Sequence, residues 1–277
     1  MEIIYAIIIG IIQGLTEFLP ISSTAHMTIF AQLLDTKLIS DPRLWTASMA
    51  TIQLGTFASL LFYFRKEILE IANGLAKASF NGKKNLTEDL SEKSKLGWLI
   101  IIGSIPIFVI GYLLKDLIEG EFTKNLWTIS VALILVGIIL FVAERTGKFK
   151  KSLNEISLLD ALIVGIAQCF ALIPGVSRSG ATITAGLFLG MRREESARFS
   201  FLLSIPAVFV SGVYEFYKNF NLLSSSHILF IIVATIFAFV SGVVAISFLL
   251  NYLKTKSTLL FIVYRIFLGL AIILWLL

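Results

Sequence analysis

Two short polar segments interrupt apolar stretches of this sequence, and they hold the residues best suited to catalysis. Residues 13–26 read QGLTEFLPISSTAH, and residues 174–182 read PGVSRSGAT. Together they offer a carboxylate, a guanidinium, an imidazole and several hydroxyls. This set is typical of phosphate chemistry, because arginine binds phosphate oxygens and a hydroxyl beside a base can act as a nucleophile.

Spacing within the first segment indicates how these groups could cooperate. Gln13 and Glu17 are four residues apart, so on a helix they share a face that offers oxygens to a hard cation such as Mg²⁺. If a helix restarts after Pro20, Ser23 and His26 share a face as well. His26 could then act as a base toward the Ser23 hydroxyl or donate a proton to a leaving group.

Both segments also resemble helix starts. Pro20 is followed by Ser22, Ser23 and Thr24, whose hydroxyls suit the capping of a helix. Ser177 follows a Pro-Gly pair in the same way. Two helix N-termini that point at one place form an anion site. Arg178 adds a planar fork of donors that matches phosphate oxygens.

Each of these residues also has a structural interpretation. Glu17 and Arg178 could be a buried ion pair, and His26 could be an ordinary interior histidine. Hydroxyls in membrane helices often bond only to backbone, and this alternative applies to Ser22, Thr24, Ser177, Ser179 and Thr182. Arg265 could approach the site or could bond to a backbone carbonyl or a helix C-terminus. The clustering of polar groups at two related positions favours a functional site.

The composition predicts the elements that must position these residues. Of 277 residues, 57% are hydrophobic, 15% are charged and one is a cysteine. These values exclude a disordered chain or a disulfide scaffold and leave too little polar surface for a soluble globule. We expect an all-α polytopic membrane protein, in which the net charge of +5 reflects basic cytoplasmic loops and not a nucleic-acid partner.

Six uncharged or nearly uncharged runs are candidate transmembrane helices. They are Leu44–Phe64, Leu96–Leu114, Leu126–Ala143, Phe199–Tyr214, Ile228–Leu253 and Thr258–Leu277. Two further apolar regions, Ile3–Leu34 and Ala161–Met191, are broken by the polar segments. A broken helix at membrane depth must be buried in protein or line a cavity. We therefore predict two re-entrant helical hairpins.

The distribution of charge supports this layout. If both hairpins return to their starting side, residues 65–95, 144–155 and 192–198 share one side with Lys254 and Lys256. That side then carries 16 of the 23 lysines and arginines, against 5 in residues 35–43, 115–124 and 215–227. The basic side should be cytoplasmic, so both termini should lie outside.

An internal repeat relates the two hairpins. At an offset of 155 residues, identical residues align at Ala6, Gly10, Ile11, Gln13 and Ser22 with Ala161, Gly165, Ile166, Gln168 and Ser177. We predict one integral membrane domain over residues 1–277, with repeats at about 1–143 and 156–277. The two repeats have opposite orientations, which favours a binding site where the hairpin tips meet.

The two polar segments resemble the signatures of the undecaprenyl-diphosphate phosphatases, also called bacitracin-resistance proteins, and the resemblance covers essentially the whole chain. It implies a bacterial inner-membrane enzyme that hydrolyses undecaprenyl diphosphate to the monophosphate and recycles this lipid carrier for cell-wall synthesis. It also implies a divalent cation, Mg²⁺ or Ca²⁺, and a site that opens toward the outer face.

The resemblance implies roles for individual residues. Glu17 would serve catalysis or metal binding, Ser23 would be the nucleophile, and His26 an acid/base or alternative nucleophile. Arg178 would bind the diphosphate, and Ser177 and Thr182 match further phosphate-contact positions. Many relatives have glutamate where this chain has Gln13, a neutral and weaker metal ligand.

The combined hypothesis is that Ser23, activated by His26, attacks a diphosphate held by Arg178 and by Mg²⁺ at Glu17. The expected partners are the isoprenyl diphosphate and membrane lipids, with a homo-oligomer left open. A lipid flippase or secondary transporter is the main alternative, because inverted repeats with broken helices are common in transporters. A non-catalytic lipid-binding protein is another, although it would not need His26 beside Ser23.

Overall fold

The computed structural model describes residues 2–33, 42–80, 91–114, 125–219 and 225–277. These residues form helices throughout, with a single isolated bridge between Lys151 and Met191. The α-helices of the described residues are α1 (Glu2–Phe18), α2 (Ser23–Leu33), α3 (Pro42–Tyr63), α4 (Arg65–Phe80), α5 (Glu92–Leu113), α6 (Leu126–Thr146), α7 (Leu158–Cys169), α8 (Arg178–Phe188), α9 (Arg193–Asn219), α10 (Ser225–Leu253) and α11 (Leu259–Leu276).

Five of these helices, α5, α6, α9, α10 and α11, are long and apolar enough to cross a membrane. Along α10, Ile232, Ile236, Val240 and Val244 recur every four residues, and each is at least half exposed. An apolar stripe of this kind on the outside of a helix bundle matches a lipid environment. The prediction of an all-α polytopic membrane protein is therefore confirmed.

The helices follow the predicted spans with small shifts at their ends. The run predicted at Leu44–Phe64 corresponds to α3, which is not one of the five membrane-crossing helices found among the described residues. The short run predicted at Phe199–Tyr214 lies within α9, which begins six residues earlier at Arg193. Charged residues occupy that first turn, with Glu194 and Glu195 well placed for the helix dipole, so a search for uncharged runs missed it.

Both polar segments break a helix, as predicted. The first break, Leu19–Ser22, separates α1 from α2, and the second break, Phe170–Ser177, separates α7 from α8. The second break opens with a 3₁₀ turn over Phe170–Leu172. In each case the chain packs back on itself, because α1 contacts α2 and α7 contacts α8.

Glycines 155 residues apart allow equivalent close helix contacts. A Cβ on Gly10 of α1 would lie 2.3 Å from the carbonyl oxygen of Ala234 on α10. A Cβ on Gly165 of α7 would lie 2.0 Å from the carbonyl oxygen of Gly103 on α5. Both distances are shorter than van der Waals contact allows, so only glycine permits either helix pair to pack this closely.

Segments predicted to share the basic side meet at one end of the helix bundle. Glu144 accepts hydrogen bonds from Arg193 and from the Thr258 hydroxyl, and Glu67 accepts two from Arg198. These contacts join the ends of α4, α6, α9 and α11. The opposite loops, at 35–43, 115–124 and 215–227, lie wholly or partly outside the described residues.

Candidate active site

The first break contacts the start of α8, and the two breaks end with matching backbone geometry. The Ser179 hydroxyl donates to the carbonyl of Leu19, at 3.1 Å. Ser22 and Ser177 end their breaks with φ of 74° and 67°, which is unusual for a residue other than glycine. Each serine side chain caps the following helix, since Ser22 Oγ accepts from the Ala25 N–H and Ser177 Oγ accepts from the Gly180 N–H. The predicted capping is confirmed.

Glu17, at the end of α1, is the centre of a hydrogen-bond cluster. Its Oε2 accepts from Gln13 Nε2 at 3.0 Å and from the Ser23 hydroxyl at 2.7 Å. Its Oε1 accepts from Gln53 Nε2 at 3.1 Å and from Arg178 Nη2 at 2.5 Å. Residues of both hairpins and of α3 thus donate hydrogen bonds to one carboxylate, and Glu17 is only 8% exposed.

A cavity of about 200 Å³ adjoins this cluster. Polar residues from both breaks and from neighbouring helices contribute to its wall: Glu17, Ser22, Ser23, Thr24, Gln53, Gln168, Ser177, Arg178 and Ser211. The first N–H groups of a helix have no partner within that helix, so α2 and α8 both present donors near the cavity. A hydroxyl, a carboxylate, a guanidinium and two helix N-termini can bind an anion and attack it.

Arg265 of α11 holds the two breaks together. It is fully buried, and it donates to the carbonyls of Pro20, at 3.0 Å, and of Gly175 and Val176, at 3.1 and 2.8 Å. These carbonyls lie where helix hydrogen bonding is interrupted, so they need donors from elsewhere. Both alternatives predicted for Arg265 are therefore realised, because it bonds to backbone carbonyls and does so beside the site.

His26 points away from Ser23. Its Nδ1 lies 2.7 Å from the carbonyl oxygen of Ser22, and its Nε2 lies 2.6 Å from the Tyr264 hydroxyl. A carbonyl only accepts, so Nδ1 carries the proton and a neutral ring accepts from Tyr264 at Nε2. The predicted hydrogen bond between His26 and Ser23 is not formed, because the Ser23 hydroxyl donates to Glu17.

The oxygens of Glu17 are occupied by hydrogen-bond donors from the protein. A carboxylate offers about four lone-pair positions, and Glu17 already has four donors directed at it. The described residues also contain no group of three or more His, Cys, Asp or Glu side chains that could hold a metal ion. The predicted ligand pair of Glu17 and Gln13 is an internal hydrogen bond in this arrangement.

Comparison with known proteins identifies the family. The family described as "Bacitracin resistance protein BacA" matches residues 6–271 of the chain. The chain belongs to the BacA family. Relatives named undecaprenyl-diphosphatase come from Syntrophobacter fumaroxidans (48% identical, covering 99% of this chain and 97% of the relative), Chlorobaculum parvum (46%, covering 99% and 96%) and Chloroherpeton thalassium (49%, covering 97% and 95%).

Several of the candidate site residues predicted from the sequence do not line the cavity. Gln13 and His26 are not part of the wall and are hydrogen-bonded to Glu17 and to Tyr264, respectively. Ser179 bonds across to the first break. Thr182 is fully buried between α8 and α9, where its hydroxyl lies 2.5 Å from that of Ser200. These residues support the shape of the site.

The residues at this BacA site that were not predicted from the sequence include Gln53, Gln168 and Tyr264. Gln53 donates to Glu17, Gln168 lines the cavity and Tyr264 holds His26. A signal existed for two of them. Gln53 is an uncharged polar residue within an apolar span, where polar groups are costly, and Gln168 is the repeat counterpart of Gln13. Tyr264 carries no such signal, since tyrosines are common in membrane helices.

Proposed function

We propose that this chain hydrolyses undecaprenyl diphosphate to undecaprenyl phosphate and inorganic phosphate, which recycles the lipid carrier for cell-wall synthesis and confers bacitracin resistance. Membership of the BacA family, whose relatives carry the name undecaprenyl-diphosphatase, supports this activity. The observation that assigns this activity to particular residues is the cluster of Ser23, Glu17 and Arg178 on the wall of one cavity. In this cluster, a hydroxyl and a guanidinium both donate hydrogen bonds to one carboxylate.

Ser23 attacks the terminal phosphorus of the diphosphate in the first step. Its proton passes to Glu17 Oε2, which lies 2.7 Å away, as the new Oγ–P bond forms and the bridging P–O bond breaks. Undecaprenyl phosphate then leaves. Water attacks the phosphoserine in the second step, and the proton returns from Glu17 to Ser23 Oγ as inorganic phosphate departs with the oxygen of the water.

Arg178 and the N-termini of α2 and α8 stabilise the charge that develops in both steps. Arg178 uses Nη2 toward Glu17, and a guanidinium has five N–H donors, so the remaining donors are directed to phosphate oxygens. Catalysis of phosphoryl transfer rests mainly on positioning and electrostatic stabilisation of this kind.

His26 acts in this proposal as a positioning residue. Its Nδ1–H holds the carbonyl of Ser22, and Ser22 carries the left-handed backbone that aims Ser23 at Glu17. Such strained residues persist only where their surroundings hold them in place. The serine is the nucleophile, and Glu17 replaces His26 as the group that accepts its proton.

The divalent cation, Mg²⁺ or Ca²⁺, accompanies the diphosphate in our proposal and is not resident on Glu17 and Gln13. Mg²⁺ commonly binds through one or two carboxylates together with substrate phosphates, and Glu17 has no free lone pair before substrate arrives. Mn²⁺ titrated into purified, substrate-free protein should keep its full electron paramagnetic resonance signal. A stoichiometric site that disappears in Glu17→Gln would contradict this.

We infer six transmembrane helices and two re-entrant hairpins in two inverted repeats, with the basic end in the cytoplasm and the cavity open to the outer face. Spheroplasts that carry Lys254→Cys or Tyr217→Cys in a Cys169→Ala background test the orientation. A membrane-impermeant maleimide should label position 217 and leave position 254 unlabelled. The reverse pattern would place the basic end outside.

Phosphate release from undecaprenyl diphosphate in detergent tests the activity itself. A micelle does not separate two compartments, so lipid transport cannot occur in it. Phosphate release by the purified protein therefore distinguishes hydrolysis from lipid flipping and from passive lipid binding. We expect release that depends on the divalent cation and stops with EDTA. Tight binding of the lipid without any release would contradict the proposal.

A further inference from the structure

Gln168 has an unsatisfied side chain on the wall of the cavity. It is the penultimate residue of α7, is 0% exposed and lines the cavity together with Ser177 and Arg178. Within the described part of the chain, neither Nε2 nor Oε1 of this amide has a hydrogen-bond partner. Most buried side-chain polar atoms in proteins are paired, so this exception requires an explanation.

The repeat counterpart of Gln168 shows what is missing. Gln13 lies 155 residues earlier, near the end of α1, and its Nε2 donates to Glu17 one turn further along the helix. The residue one turn after Gln168 is Leu172, which cannot accept a hydrogen bond. The second hairpin therefore keeps the amide but has no carboxylate to bind it.

A bound diphosphate would supply the missing partner. The amide nitrogen offers two N–H donors, and phosphate oxygens accept strongly because they are charged. Arg178 and Ser177 on the same wall already provide positive charge and a helix N-terminus suited to an anion. The carbonyl oxygen of the amide can accept from a water molecule that accompanies the substrate.

We propose that Gln168 is a substrate-binding residue that donates from its side-chain amide to a phosphate oxygen of the bound diphosphate. This inference rests on the proposed function, since it assigns one further contact within the same site. It also separates the two amides by role: Gln13 orients the carboxylate, and Gln168 contacts the substrate.

Removal of the amide should weaken substrate binding without lowering the stability of the substrate-free protein. In Gln168→Leu an unpaired polar group is replaced by an apolar one of similar size, so the substrate-free protein should melt at the same temperature as the parent or higher. KM for undecaprenyl diphosphate in detergent should rise about 10- to 100-fold, as expected for loss of a hydrogen bond to a charged group. The kcat should change by only a few-fold.

Thr235→Val is the matched control. The Thr235 hydroxyl is also buried without a partner among the described residues, but it lies on α10 and is not part of the cavity wall. This variant should leave KM unchanged. Gln168→Met serves as a second variant, because its unbranched side chain follows the path of glutamine.

The outcomes separate this inference from the proposed function. An inactive parent enzyme would reject the proposed function. An active parent whose KM stays within twofold in both Gln168 variants would overturn the role of Gln168 and leave hydrolysis intact. Failure of both variants to fold, judged by gel filtration and thermal melting, would make the amide structural and would also overturn the inference.

Discussion

The two helix breaks share a backbone and differ in chemistry. Both end in a serine with positive φ that caps the next helix, at Ser22 and at Ser177. The first break is flanked by Glu17 and Ser23, a carboxylate and the hydroxyl that donates to it. The second is followed by Arg178, which reaches across to Glu17.

This difference indicates how a duplicated hairpin can become asymmetric without a new fold. The offset of 155 residues places Ser23 opposite Arg178 and Glu17 opposite Leu172. Under the proposed mechanism, two side-chain differences therefore give one hairpin the attacking group, Ser23, and the other the anion-binding group, Arg178. The shared backbone aims both at one cavity.

Loss of the attacking group should have the largest effect. Ser23→Ala removes the proposed nucleophile and should lower kcat on the order of 10³-fold or more, as for nucleophiles in other hydrolases. Phosphate release from undecaprenyl diphosphate in detergent measures this. A rate of phosphate release within tenfold of the parent would reject Ser23 as the nucleophile and would favour His26 in that role.

Loss of the anion-binding group should have the next largest effect. Arg178→Ala should lower kcat/KM by about 10²- to 10³-fold, because it removes preorganised charge stabilisation. Arg178→Lys should recover only part of that loss, since lysine keeps the charge and loses the planar fork of donors. Equal activity of the lysine variant and the parent would reduce the role of Arg178 to that of a point charge.

Substitutions of His26 test whether its ring acts as an acid/base catalyst or only positions the backbone of the first break. The amide of asparagine can place an N–H near the position of Nδ1, so His26→Asn should retain activity within a few-fold of the parent. His26→Gln, whose amide reaches the position of Nε2, should be about tenfold less active because the bond to Ser22 is lost. Similar severe losses in both variants would instead favour acid/base catalysis by the ring.

Substitution of the two capping serines should have the smallest effects, and the loss of stability should be similar at the two breaks. Ser22→Ala and Ser177→Ala lose a cap while the strain of a side chain at positive φ is unchanged, so each should cost about 0.5–2 kcal/mol of stability. The corresponding glycine variants should cost less, since glycine adopts positive φ readily. Thermal melting in detergent checks this, and alanine variants as stable as the glycine variants would contradict it.

Much of the fold was predictable because lipid imposes strong rules on sequence. Helix positions followed from uncharged runs such as Leu126–Ala143, which is confirmed within α6. The breaks followed from proline and polar residues where an apolar run should continue, and the capping serines followed from their position after Pro20 and Pro174.

The partners of the site residues were less predictable, because they depend on how separate helices pack. A spacing of three residues favoured a bond between Ser23 and His26, yet the turn at the first break folds Ser23 back toward Glu17. Gln53 and Arg265 reach the site from α3 and α11, which lie far away in sequence. Neither periodicity nor the repeat specifies such contacts.

The stereochemical course at phosphorus tests the central claim, that Ser23 forms a covalent intermediate, most directly. Undecaprenyl diphosphate with a terminal thiophosphate made chiral by oxygen isotopes would be hydrolysed in isotopically labelled water. Two displacements, first by Ser23 and then by water, predict overall retention of configuration in the released thiophosphate. Inversion would mean that water attacks the phosphorus directly, and it would contradict the account.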